Sequence, residues 1–261
     1  MGDMIFLFSE LENMKDRYDR FLVCPPYEMV RSFRGDTDIN FPKLFLQTLF
    51  GSDTHYSIIE TSSCSNLSPD DIESSYRTTT TFIDLSSKFI KEIQIPFDRF
   101  VAINTKVRYI TKQEFRNCFT RLVPVLKGSN LPIVIFGERT IPPNPESSEL
   151  MFSIYDDIIT SDLSSQIHDL TKPTLLDCID IEVLKNDLSI MYGAISNITF
   201  GVSGIATLIT ATAKNVSGYR NDGFLFLDRY YASITDNRKV VTKNIDQFLK
   251  HIENCIKESN V

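Results

Sequence analysis

The sequence predicts an α/β protein of the doubly wound class, built on a mostly parallel, Rossmann-like sheet. Three observations lead there. Compact apolar runs of strand length, among them Phe100-Val-Ala-Ile-Asn104, Leu131-Pro-Ile-Val-Ile-Phe-Gly137 and the run from Ile198 to Val202, read as strands buried on both faces. Segments with apolar residues at helical spacing alternate with them. The connections are short, so each strand-helix-strand unit should close as a right-handed parallel crossover.

Length and composition frame the reading. A chain of 261 residues with 42% hydrophobic residues can bury a sizeable core, as one large domain or two small ones. We place the division near residue 95, with a small α/β amino-terminal domain over 1–95 and a Rossmann-like domain over 96–261. No apolar run approaches the ~18 residues of a membrane helix, and Met1-Gly-Asp-Met-Ile-Phe-Leu-Phe-Ser9 lacks the basic start and length of a secretion signal. The expectation is a soluble, cytoplasmic protein with no membrane span.

Five cysteines without a C-x-x-C pair suggest neither a disulfide framework nor a zinc site. The sequons at Asn66, Asn197 and Asn215 would matter only in a secretory compartment. A net charge of −7 and a pI near 5.1 disfavour nucleic acid as a general partner, because phosphate neutralisation needs clustered Lys and Arg.

Taken in order, Met4 to Phe8 and Arg20 to Cys24 read as strands, the second stopped by Pro25-Pro26. Tyr27 to Asp36 carries charge beside aromatics. Phe41 to Phe50 has helical spacing, and His55 to Glu60 reads as a third strand. The Ser- and Thr-rich stretch Thr61 to Thr81 favours turns and reads as a linker. Phe82 to Ile93 has near-helical spacing ahead of the Phe100 strand.

Thr111 with Glu114 then fits a capping box, and Phe115, Phe119, Leu122, Val123 and Leu126 share one helix face. Pro124 is placed to kink that helix and Gly128 to end it. The Leu131 strand follows, then a Pro-rich loop over Ile141 to Pro145 and a helix over Glu149 to Ile159. Ile167 to Thr171 is another short strand. Asp180 to Gly193 is amphipathic, with Val183, Leu184, Leu188, Met191 and Tyr192 inward. Phe224 to Asp228 reads as a strand, and Ile245 to Ile256 as a closing helix with Phe248, Leu249 and Ile252 at core spacing.

The stretch from Asn197 to Ala213 organises the rest. An apolar strand breaks at Ser203-Gly204 and a helix resumes at Ile205, whose free N–H groups would point back at the turn, which is the geometry of an anion site. An ordinary strand-to-helix turn has the same residues, so neighbours must decide. In doubly wound sheets ligands gather at the carboxyl ends of strands. The loops after Asn104, Gly137, Leu170 and Val202 would share that edge, bringing together Lys106, Arg108, Glu138, Arg139, Thr171, Ser203 and Gly204, a place for a diphosphate.

The order of these segments resembles the carboxyl-terminal half of a GT-B glycosyltransferase, nearest in pattern to the heptosyltransferase-like members. The matching stretches are Phe100-Val-Ala-Ile-Asn-Thr-Lys106, the helix start at Lys112 and Phe115, Ile133-Val-Ile-Phe-Gly-Glu138, His168-Asp-Leu-Thr171, and Asp187-Leu188 to Asn197-Ile-Thr-Phe-Gly-Val-Ser-Gly204. The resemblance covers roughly residues 98–215. It implies that a Ser-Gly turn and helix start sit against a nucleotide-sugar diphosphate. The family pattern often continues Ser-Gly-x-x-His, and Thr207 stands at that position here. The short first domain implies a reduced enzyme, a homo-oligomer or a partner subunit that supplies the rest.

On that resemblance the activity would be transfer of a sugar from a nucleoside diphosphate to an acceptor hydroxyl, on a glycan or another hydroxyl-bearing substrate. Backbone N–H groups at Ser203, Gly204 and Ile205, with Lys106, Arg108 or Arg139, would stabilise the leaving diphosphate without a cofactor or metal. Asp36-Thr-Asp38 is the one Asp-x-Asp motif considered for a cation, and turn chemistry explains it as well. Glu28 and Asp36, flanking Arg31 and Arg34, are the candidate catalytic bases, with Glu10 and His55 as further candidates. Glu138 is placed to hold ribose or sugar hydroxyls. A non-catalytic nucleotide- or nucleotide-sugar-binding module is the alternative, favoured by Thr207, and a structural or interaction protein is a third reading, favoured by the short first domain and the 19 Phe and 10 Tyr. Gly201-Val-Ser-Gly204 is not G-x-S-x-G, and neither G-x-x-x-x-G-K-[ST] nor G-x-G-x-x-G occurs, which argues against serine hydrolases, P-loop and dinucleotide enzymes.

Overall fold

A computed structural model describes residues 16–17, 21–23, 56–58, 95–140, 151–172, 181–201, 215–220 and 238–259. In the amino-terminal part, β1 (Phe21–Val23) pairs in parallel with β2 (Tyr56–Ile58). The other elements expected before residue 95, including Glu28 and Asp36, lie outside the described residues, as do the Ile141 loop and the Phe224 strand.

The main body is a six-stranded parallel sheet. Its strands in chain order are β3 (Val101–Asn104), β5 (Ile133–Phe136), β7 (Ile167–Asp169), β8 (Ser196–Phe200), β9 (Val216–Tyr219) and β10 (Lys239–Thr242). In space they run β10-β9-β8-β3-β5-β7, each neighbouring pair parallel. Chain order therefore reverses direction between β3 and β8. That is the strand order of the doubly wound Rossmann-like class, in which ligands bind beyond the carboxyl ends of the strands at such a reversal.

Helix α1 (Lys112–Ser129) follows the first strand, and its start is fixed as its sequence requires. Thr111 accepts from the Glu114 N–H at 3.2 Å, and Glu114 Oε2 accepts from the Thr111 N–H at 2.8 Å. The helix runs through Pro124 and past Gly128; it ends at Asn130, whose left-handed φ of 54° closes the last turn. Its buried face is Phe115, Cys118, Phe119, Leu122 and Leu126, while Val123 is only partly buried.

Strand alternation sorts the sheet into two faces. Val101, Ile103, Ile133, Ile135, Ile198 and Phe200 join α1 and the final helix α4 (Ile245–Glu258) in one apolar cluster with Phe248, Leu249 and Ile252. Ala102, Asn104, Val134 and Phe136 point the other way, toward the face that α3 (Ile181–Gly193) covers. Asn197 on that face donates to the Met191 carbonyl at 2.7 Å. Leu188 and Met191 of α3 are buried as expected and Tyr192 is half-buried.

Two further expectations are corrected. Residues 151–153 are not the start of a helix: Met151–Ser153 is a strand, β6, and helix α2 spans only Tyr155–Ile159. The segment after Asn104 is likewise not a plain loop, because β4 (Lys106–Arg108) pairs antiparallel with β6. Neither strand is written in local periodicity; each exists because the other supplies its hydrogen bonds.

Candidate functional site

The carboxyl ends of β3, β5, β7 and β8 lie along one edge, and polar residues follow closely on the first three. Beyond β3, Thr105 is fully buried, and its hydroxyl donates to the carbonyls of Phe136 at 3.1 Å and Glu138 at 2.8 Å. That ties the first two strand ends together. Lys106 then turns its Nζ to Glu138 Oε1 at 3.3 Å, with side chains 18% and 4% exposed. A pair this enclosed is held at a desolvation cost that its own attraction only partly offsets.

The third strand end is clamped to the second by backbone. Lys172 N–H donates to the Gly137 carbonyl at 2.7 Å, Arg139 N–H donates to the Lys172 carbonyl at 2.9 Å, and Glu138 and Lys172 form a parallel bridge. Gly137 sits in this turn with φ of +98°, and a Cβ there would lie 2.8 Å from Asn104 Nδ2 and 3.0 Å from Thr105 Oγ1. Only glycine fits the conformation and the space.

Arg139 and Thr171 share a second cluster on this edge. Arg139 donates from Nε to Thr171 Oγ1 at 2.7 Å and from Nη2 to Asp169 Oδ2 at 3.0 Å, and its guanidinium lies 5.3 Å from the Tyr155 ring centre. Tyr155 donates to Asp169 Oδ2 at 2.9 Å, and the Thr171 N–H and hydroxyl both donate to Oδ1. Burial works to raise the Asp169 carboxyl, but the Thr171 and Tyr155 hydrogen bonds and the Arg139 charge outweigh it and hold the group below the ordinary carboxylate range. The same hydrogen bond raises the Tyr155 phenol. Arg139 is thus a positioned cation already shared with a carboxylate.

Asp187, on α3, is 5% exposed. Burial pushes its carboxyl up to about 7, the nearby Lys172 ammonium draws it down, and Glu138 raises it. Asn104 is 1% exposed, and its Oδ1 accepts from the Lys106 N–H at 3.1 Å. That bond fixes which way the amide points, and Nδ2 then makes no hydrogen bond. A buried donor in that state costs about 1–3 kcal/mol.

Of the expected site residues, Lys106 with Glu138, and Arg139 with Thr171, therefore meet at one edge as two ion-paired clusters. For Arg108 the backbone is described, in β4. Ser203, Gly204 and Ile205 lie outside the described residues; the chain is followed to Gly201, which ends β8 with φ of +69°. Asn104, Thr105, Lys172 and Asp187 were not singled out from the sequence, although Asp187 lies four residues before the buried Met191 and so on the inward face of its helix.

Two other features carry no site. Ser217 Oγ and His251 Nδ1 are 2.7 Å apart, but Ser217 is fully buried beneath α4, where no substrate reaches it. A cleft of about 290 Å³ between α1 and α2 is lined by Lys112, Arg116, Asp156 and Asp157, charges that offset one another in solvent. Among the described residues no group of His, Cys, Asp and Glu is arranged to hold a metal ion, and no helix is long and apolar enough to cross a membrane. No family model, curated protein or solved structure matches the chain.

Proposed function

We propose that the protein binds a nucleoside-diphosphate sugar at the carboxyl edge of the sheet and transfers the sugar to an acceptor hydroxyl, as a glycosyltransferase of the GT-B type. The observation that carries this reading is the reversal of strand order between β3 and β8, with the buried polar run Asn104-Thr105 and the cation Lys106 directly beyond the first of those strands. Open α/β sheets bind their ligands at such a reversal.

In this reading Lys106, Arg108 and Arg139 attract the diphosphate, and the amides of Ser203, Gly204 and Ile205 take the charge that grows on it as the glycosidic bond breaks. Glu138 and Thr171 orient hydroxyls of ribose or sugar. Glu28 or Asp36 takes the acceptor proton, and no metal or cofactor is required.

Calorimetry with UDP, GDP, ADP and their sugar conjugates tests the binding. Removing charge with Arg108→Ala or Arg139→Ala should weaken the best ligand by ~1–3 kcal/mol. No heat from any nucleotide would remove the proposal. Thr207, in place of the family's histidine, favours a second reading in which the site binds without turnover. A bound nucleotide sugar that is neither hydrolysed nor transferred would decide for that reading.

A further inference from the structure

We draw no further inference here: the strongest candidate, the side-chain cluster at the carboxyl end of β3 in which the buried Asn104 amide keeps a donor without a hydrogen bond near the ion pair of Lys106 and Glu138, belongs to the site already described, and nothing among the described residues shows what would occupy it.

Discussion

On the α1 and α4 face of the sheet, Phe115 meets Phe200 edge-on with ring centres 5.0 Å apart, Phe200 leans on Phe248 at 5.9 Å, and the polar groups among them close a circuit. Ser196 and Ser217 hydroxyls lie 3.2 Å apart, and Ser217 meets His251 at 2.7 Å. At the carboxyl edge, Asp187 and Glu138 are also buried, at 5% and 3% exposed, and Asn104 keeps an amide donor without an acceptor. Both regions exclude water. One gains free energy from doing so and the other loses it, so packing accounts for the first and only an additional role accounts for the second.

The sharpest way to break that contrast is to open the apolar face. Phe115→Ala removes a side chain 1% exposed that touches Phe119, Phe152 and Phe200, and should cost about 3–5 kcal/mol, read as a lower urea midpoint with little change in slope. Nucleotide affinity per folded molecule should stay unchanged. Loss of affinity in molecules that remain folded would mean that the two regions are not separable.

Asp187→Asn tests the charged edge and should act in the opposite direction. Burial pushes the folded carboxyl up to about 7, against an ordinary 3.8, so between those values the folded chain should hold a proton that the unfolded chain has released. Stability therefore falls as pH rises through that window and is level above it. Asparagine never ionises, and the variant should be more stable than wild type at about pH 8 by on the order of 2–4 kcal/mol, with the difference gone near pH 4. Denaturant melts at both pH values check it. A variant less stable than wild type at alkaline pH would show that the Lys172 attraction outweighs burial.

How much of this contrast was written in the sequence follows from the range of each interaction. The capping box at Thr111 and Glu114, the buried face from Phe115 to Leu126, and the Val101, Ile133 and Ile198 strands rest on spacing within a few residues, and they were legible. Strands β4 and β6 were not, because each is three residues long and their only support is each other, over 40 positions apart. Lys106, Glu138, Arg139 and Thr171 were placed on one edge by topology alone. Their partners were hidden, since an ion pair such as Arg139 with Asp169 joins two strands. The sequence does carry a signal for Asp187: it is a carboxylate four residues before Met191, on the inward side of an amphipathic helix where burial perturbs it.

The smallest effect comes from an ion pair of the same chemistry as Lys106 with Glu138 but in the opposite setting. Arg121 on α1 and Asp246 at the start of α4 are hydrogen-bonded, yet their side chains are 51% and 77% exposed. Water and salt screen the attraction, and both side chains lose rotamer freedom to keep it. Arg121→Ala should therefore shift stability by no more than ~0.5 kcal/mol at physiological salt, because α4 is held by Phe248, Leu249 and Ile252 rather than by this bridge. Urea melts at low and high salt check it, and whatever small loss appears should vanish at high salt. A loss near that of Phe115→Ala, insensitive to salt, would mean that α4 docks through charge, and the division between an apolar face that stabilises and a charged edge that binds would fail.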